Sequence, residues 1–320
     1  MRRGLLIAAA AGTLLGAALT LASWYCYPTV TGGNLVASQG QHGARGFGSD
    51  SARVDSQITL RIPEGRADEV YEYLRSRYVA KDDLLKDRFP DLHLYGQQMS
   101  DESVFTDRYF DTPALDLYRT RNSARHRTRI NTTNPEDRKS GRTLVQMKVT
   151  PPGRFDLRSE LKYEASERTK RPKSHDDLHP LIRLIPRDQR DDFKKVYADA
   201  GINPYALLHV LTITQSRKRG YLNWDDKNVF SFSVDQGSAS LLWAKASFSS
   251  VDLGLVEVSY TEADEAKRKR MWEIRDAILE DLRKRFPELV ENTESKYGIV
   301  LDQLMRKIPL LPALIRIKAV

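Results

Sequence analysis

The chain has 320 residues, 40% of them hydrophobic, a formal net charge of +8 and one cysteine. That length and apolar content support a substantial buried core and exclude a disordered tail, while a lone cysteine excludes an intramolecular disulfide and a thiolate zinc cluster. Six scattered histidines give no HExxH or similar metal spacing, and the basic excess suits nucleic acid, an anionic membrane surface or a polyanionic small molecule, among which only the placement of charges can choose.

The N-terminus carries Arg2 and Arg3, an apolar run from Leu5 to about Ala22, and then Trp24, Tyr25 and Tyr27. This predicts a membrane anchor or signal segment over residues 1–28, with the main domain extracytoplasmic; cleavage near Thr20 and Ala22, giving a secreted protein, is the alternative. Residues 29–53, rich in Gly, Ser and Gln, read as a flexible linker. A single domain is expected over 54–310, with a tail over 311–320.

Within the domain, alternation dominates. VDSQITLRI sets Gln57, Thr59 and Arg61 against Ile58, Leu60 and Ile62, and a helix over about 66–78 follows with Val70, Leu74 and Tyr78 in one stripe. SVFTDRYFD (103–111) predicts a strand. SARHRTRI (123–130) predicts another, placing Arg125, Arg127 and Arg129 on one face. LVQMKVT puts Gln146 and Lys148 together, and RFDLRSELKYE alternates Arg158, Glu160 and Lys162 with Leu157, Ser159 and Leu161. After two helices over about 176–200, LLHVLTITQSRKRGYL aligns Arg217, Arg219 and Tyr221, and FSFSVD aligns Ser231, Ser233 and Asp235. SASLLWAKASFSSV and LVEVSY read as further strands, the latter presenting Glu257 and Ser259. A long helix over about 262–286 follows, and another segment after TESKYG reaches Arg306.

Faces that repeat arginine, or combine it with lysine, are unlike an ordinary solvated sheet face, on which like charges repel. The expected architecture is α+β: an antiparallel eight-stranded β-barrel with polar faces inward and peripheral helices over the apolar exterior.

In segment order and motifs the chain resembles the CYTH and VTC group of triphosphate tunnel proteins over roughly residues 55–300. RYFDTPALDLY is similar to the group's YFDTP segment, SARHRTRI to its paired basic strand, QMKV to the strand with its next lysine, SRKRGYL to that with a further arginine, LVEVSY to the late LExK strand and ESKYG to the SKY ending. The first-strand ExExK signature is replaced by Gln57, Thr59 and Arg61, which favours the VTC type, a polyphosphate polymerase domain; Ser231 and Ser259 stand where that type has basic residues. The resemblance implies phosphate binding by Arg61, Arg125, Arg127, Arg129, Lys148, Arg217, Arg219 and Lys296. It implies Mg²⁺ or Mn²⁺ held by Glu257, with Glu160 a weaker second ligand.

Arginine suits this task because its planar fork binds phosphate oxygens bidentately and stays charged, and alternate strand positions stand about 7 Å apart. The implied partners are inorganic polyphosphate, triphosphate or a nucleoside triphosphate, with the membrane met through the N-terminal segment. Nucleic acid is disfavoured because no aromatics interleave with the arginines. Metal-dependent phosphoryl transfer, as polymerase or triphosphatase, is the function expected; the alternative is a catalytically degenerate polyphosphate- or polyanion-binding module.

Overall fold

Polar and apolar residues alternate along most of the chain, and the chain answers with antiparallel strands. The computed structural model describes residues 52–79, 83–98, 102–131, 141–149, 157–165 and 174–317. The anchor or signal segment expected over 1–28, and the linker as far as residue 51, lie outside the described residues. Among the described residues no helix is long and apolar enough to cross a membrane.

The strands are β1 (Ala52–Arg61), β2 (Leu94–Gln98), β3 (Ser103–Asp111), β4 (Ser123–Asn131), β5 (Thr143–Val149), β6 (Leu157–Glu164), β7 (Leu208–Trp224), β8 (Lys227–Leu241), β9 (Ala244–Leu255) and β10 (Val290–Glu291). They form one ten-stranded antiparallel sheet in the order β10–β1–β6–β5–β4–β3–β7–β8–β9, with β2 on β7 and β9 pairing back to β1. The expected closed barrel of eight strands is corrected by β1. Its residues 52–56 pair with β6, whereas its residues 57–61 pair with β9 and, at Leu60 and Arg61, also with β10, so β6 and β9 are held by successive halves of the strand and the sheet is not a closed barrel. The two extra strands, β2 and β10, are five and two residues long, too short to show an alternation in the sequence.

Helices are α1 (Ala67–Tyr78), α2 (Asp83–Arg88), α3 (Asp116–Arg119), α4 (His175–Leu178), α5 (Arg190–Asp199), α6 (Glu257–Glu262), α7 (Glu265–Arg285), α8 (Lys296–Lys307) and α9 (Leu311–Arg316). They cover the apolar faces of the strands. Ala124, Val145, Met147 and Leu161 of β4–β6 are buried with Phe193 and Tyr197 of α5. Leu60, Leu222, Phe230 and Leu253 are buried with Leu74 of α1 and Ile274, Ile278 and Leu282 of α7. Each such side chain contributes roughly 1.5–3 kcal/mol on leaving water. The polar faces are thereby left to point at one another across the curled sheet.

Three local expectations are corrected. LVEVSY is not a strand: β9 stops at Leu255, and residues 257–262 form α6. SASLLWAKASFSSV is not one strand but the meeting of two, since Leu241 pairs with Ala244 across a tight turn at Leu242 and Trp243. Residues 311–316 are no tail, because Leu311 and Ile315 of α9 are buried with α8.

Candidate functional site

The inward faces enclose a cavity of about 450 Å³. Arg125, Arg127 and Arg129 of β4 line it, with Lys148 of β5 and Arg217 and Arg219 of β7. Lys296 enters from the first residue of α8, a helix capped by the Ser295 hydroxyl, which accepts from Gly298 N at 3.0 Å. Seven of the eight phosphate-binding residues expected from the sequence therefore meet in one place. Arg142 and Lys162 join them, making nine cations among the described lining residues. The lining carboxylates are Glu160, Asp252 and Glu294. Asp107 and Asp235 lie wholly buried behind the arginines.

Strand register explains how so many cations are held together. Asp107 of β3 stands directly opposite Arg127 and takes it bidentately, at 2.6 Å from both Nε and Nη2, while Arg125 Nη1 donates to the same carboxylate at 3.3 Å. Arg125 also donates from Nε to Gln146 Oε1 at 3.0 Å and from Nη1 to the Tyr109 hydroxyl at 3.1 Å. On the other side Asp235 of β8 faces Arg217 of β7 and accepts at 2.6 and 2.5 Å; Lys296 donates to Asp235 and, at 3.0 Å, to Asp252. Phe105 lies between the two clamps, with the Arg127 guanidinium 4.3 Å and that of Arg217 5.6 Å from its ring centroid. These are charge-assisted bonds out of water, in which neither partner can be removed cheaply.

The titration behaviour follows from this packing. Burial pushes the Asp107 carboxyl up, but Arg125 and Arg127 outweigh it and hold the group below its ordinary value. Asp235 is likewise held low against burial by Arg217 and Lys296, and Glu160 by Lys148 and Lys162. Arg127 differs in that burial and then Arg125 push it down further than Asp107 lifts it. Arg127 nevertheless stays paired bidentately with Asp107. In Arg219, Nη1 donates to the Tyr221 hydroxyl at 3.2 Å, but Nε is buried without a hydrogen-bond partner.

Two expected site residues are placed elsewhere. Arg61 stands at the end of β1, paired in register with Val290 of β10 and Ser250 of β9, and its side chain is exposed rather than part of the described lining. Glu257 belongs to α6, so strand alternation does not aim it inward, and its side chain lies outside the described residues. Glu160 does line the cavity, yet it accepts from Lys162 at 2.5 Å and Gln146 at 3.4 Å and has Lys148 at 3.9 Å. Ser231 lines the cavity, whereas Ser259, in α6, donates to the Asn228 carbonyl.

A divalent cation of the Mg²⁺ or Mn²⁺ kind needs oxygen donors, carboxylates foremost. Glu160 and Asp235 are engaged by lysine and arginine, and Asp252 takes Lys296 and the Thr59 hydroxyl, the latter at 2.8 Å. Gln57 and Thr59 occupy the inward positions of β1. Among the described residues no group of three His, Cys, Asp or Glu is placed to hold a metal ion. The described donor set does not fit the expected metal.

The motif aspartate of YFDTP has a structural task. Asp111 accepts from Thr112 N, Leu117 N and Tyr118 N at 2.7–2.9 Å and from the Tyr297 hydroxyl at 3.0 Å, tying the start of α3 to α8. Tyr297 also stacks on Tyr109 with ring centroids 5.1 Å apart. This bracket positions the helix from which Lys296 reaches the cavity.

No family model matches the chain, and no curated protein does. Among solved structures it resembles a candidate adenylyl cyclase of Hippeastrum described as having a dominant triphosphatase activity, at 15% identity over 78% of this chain and 95% of that one, with a TM-score of 0.42. A candidate adenylate cyclase of Bacillus halodurans is 14% identical over 74% and 98%, with a TM-score of 0.39. The capping-enzyme triphosphatase of Mimivirus is 8% identical over 72% and 89%, with a TM-score of 0.31. Superpositions of this quality carry no weight for the chemistry of this chain.

Proposed function

We propose that the chain is a member of the triphosphate tunnel group that binds a linear triphosphate or polyphosphate in its cationic cavity. The observation that carries this reading is the convergence of nine cations on one cavity of about 450 Å³, a size suited to a small ligand. Phosphate oxygens would meet the guanidinium of Arg219, whose Nη1 donates to the Tyr221 hydroxyl. The cations nearest solvent, Arg129 and Arg142 with Lys148 and Lys162, would take the remaining charge.

Binding rather than phosphoryl transfer is the function that the described residues support, because the carboxylates that a divalent cation would require are already engaged. This is the polyanion-binding alternative expected from the missing first-strand glutamates, and it leaves the VTC-type polymerase reading without a described metal ligand.

The test is titration of the full chain with tripolyphosphate in the presence of EDTA, with phosphate release and chain growth then measured after adding Mn²⁺. Binding that survives EDTA, weakens with salt and falls in Arg129→Ala and Arg219→Ala supports the proposal. Binding that requires Mn²⁺, or turnover that Glu257→Gln abolishes, would restore the enzymatic reading. Unchanged binding in both arginine variants would remove the cavity from consideration.

A further inference from the structure

The turn between β8 and β9 holds two large apolar residues, the first where the backbone resists it. Leu241 pairs with Ala244, so Leu242 and Trp243 form the whole turn, 57% and 78% exposed. Leu242 has φ +53°. A positive φ at the first residue of a two-residue hairpin turn favours glycine, and a leucine side chain there crowds its own backbone. Fold stability alone would select against leucine at this position.

Beside the turn runs the end of α8. The Gln303 side chain bonds both backbone groups of Ser247, at 3.2 and 2.7 Å, and Lys307 Nζ donates to the Lys245 carbonyl. Two strand residues advance about 6.6 Å and four helical residues about 6 Å, so the two segments keep step. The helix ends at Lys307, and Leu310, at the start of α9, is 62% exposed. Ala244, Leu311 and Ile315 share one buried cluster beneath. In these two segments Lys245, Arg306, Lys307 and Arg316 are exposed, and neither 236–247 nor 303–317 contains an aspartate or glutamate, while the preceding Asp302 accepts from the Tyr118 hydroxyl.

We propose that this end of the domain docks on an anionic lipid bilayer, with Leu242 and Trp243 entering at headgroup level beside Leu310 and the four cations meeting lipid phosphates. An amphipathic indole next to basic side chains is the combination that such an interface favours, through apolar contact and surface potential together. The surface acts independently of any anchor in residues 1–28.

The test mixes the full chain with vesicles of phosphatidylcholine and phosphatidylglycerol in equal parts. Trp243 is read as the difference in fluorescence between the full chain and Trp243→Phe, which removes the contribution of the other tryptophans and of the N-terminal segment. The difference emission is expected to shift to the blue and to be quenched by brominated lipid. Leu242→Asn, compatible with the positive φ, and Lys245→Glu are each expected to reduce the quenching while tripolyphosphate binding is retained. No quenching of the difference signal by brominated lipid, with tripolyphosphate binding intact, would overturn the proposal; so would equal quenching by phosphatidylcholine vesicles alone. A blue shift without vesicles that grows with protein concentration would replace the bilayer by a second copy of the chain.

Discussion

The inner and outer halves of the cavity hold the same kinds of cation by different means. Inside, Arg127 and Arg217 are clamped bidentately by Asp107 and Asp235, carboxylates with no solvent exposure. Outside, Arg129 donates to the Ser103 hydroxyl at 2.9–3.1 Å, Arg219 reaches a tyrosine, and Arg142 meets Glu164 with both side chains largely in water. The inner clamps fix geometry in a low dielectric, where an unpaired charge is intolerable. The outer groups give up little when an anion approaches. Stability and ligand affinity should therefore respond to different residues of one cavity.

The strongest break in this comparison is Asp235→Ala. It removes the bidentate partner of Arg217 and one of the two carboxylates that hold Lys296, Asp252 remaining at 3.0 Å, and loss of one partner from a buried pair costs about 3–5 kcal/mol. Urea unfolding should show a midpoint lowered accordingly. A loss under about 1 kcal/mol, the range of exposed pairs, would erase the distinction between the halves.

Next is the bracket behind the clamps, read through pH. Burial pushes Asp111 up to about 6 despite its donors. A raised carboxylate binds its proton more tightly in the folded state, so its stabilising contribution is full below the unfolded value of about 3.9 and is lost as pH rises through the folded one. Stability should thus fall by up to about 3 kcal/mol on this account between roughly pH 4 and 6. Asp107 and Asp235 have the opposite sign: held low, they stabilise above the unfolded value, and that contribution is lost as pH falls below about 4. Asp111→Asn should flatten the slope from pH 4 to 6 in urea midpoints while leaving the acid limb. An unchanged slope would show that Asp111 is not the group responsible.

Much of the inner wall was legible in the sequence because strand alternation with a repeated charge survives any tertiary rearrangement: Arg125, Arg127, Arg129, Lys148, Arg217 and Arg219 line the cavity as their spacing implies. Asp107 was hidden because its face also carries Phe105 and Tyr109, so β3 shows no polar period although all three inward groups serve the arginines. Asp252 was hidden by apolar neighbours. Glu257 misled because LVEVSY alternates as a strand does, yet Val256 N makes the last bond to β8, at the Val229 carbonyl, and α6 begins at Glu257. The turn at Leu242 and Trp243 escaped because its residues are those of a strand.

For affinity the outer half should dominate. Arg219→Ala removes a guanidinium that makes one hydrogen bond to Tyr221 and leaves its Nε buried without a partner. A charge-assisted bond to phosphate is worth about 1.5–3 kcal/mol, so tripolyphosphate binding should weaken by roughly 10- to 150-fold with little change in the unfolding midpoint. A variant that unfolds early but binds normally would reverse the assignment.

The smallest effect is expected at Arg142, whose pair with Glu164 lies at the surface with side chains 45% and 73% exposed. Such pairs contribute about 0–1 kcal/mol, and Arg142→Ala should scarcely move stability. Its charge still adds to the field at the cavity mouth, which acts on an approaching polyanion over about a Debye length, ~10 Å at 0.1 M salt. Stopped-flow association with tripolyphosphate should slow a few-fold at low ionic strength and converge with the unmodified chain as salt rises, while dissociation stays unchanged. A change confined to dissociation would instead make Arg142 a direct phosphate contact, and the boundary between the steering rim and the binding wall would move outward by one residue.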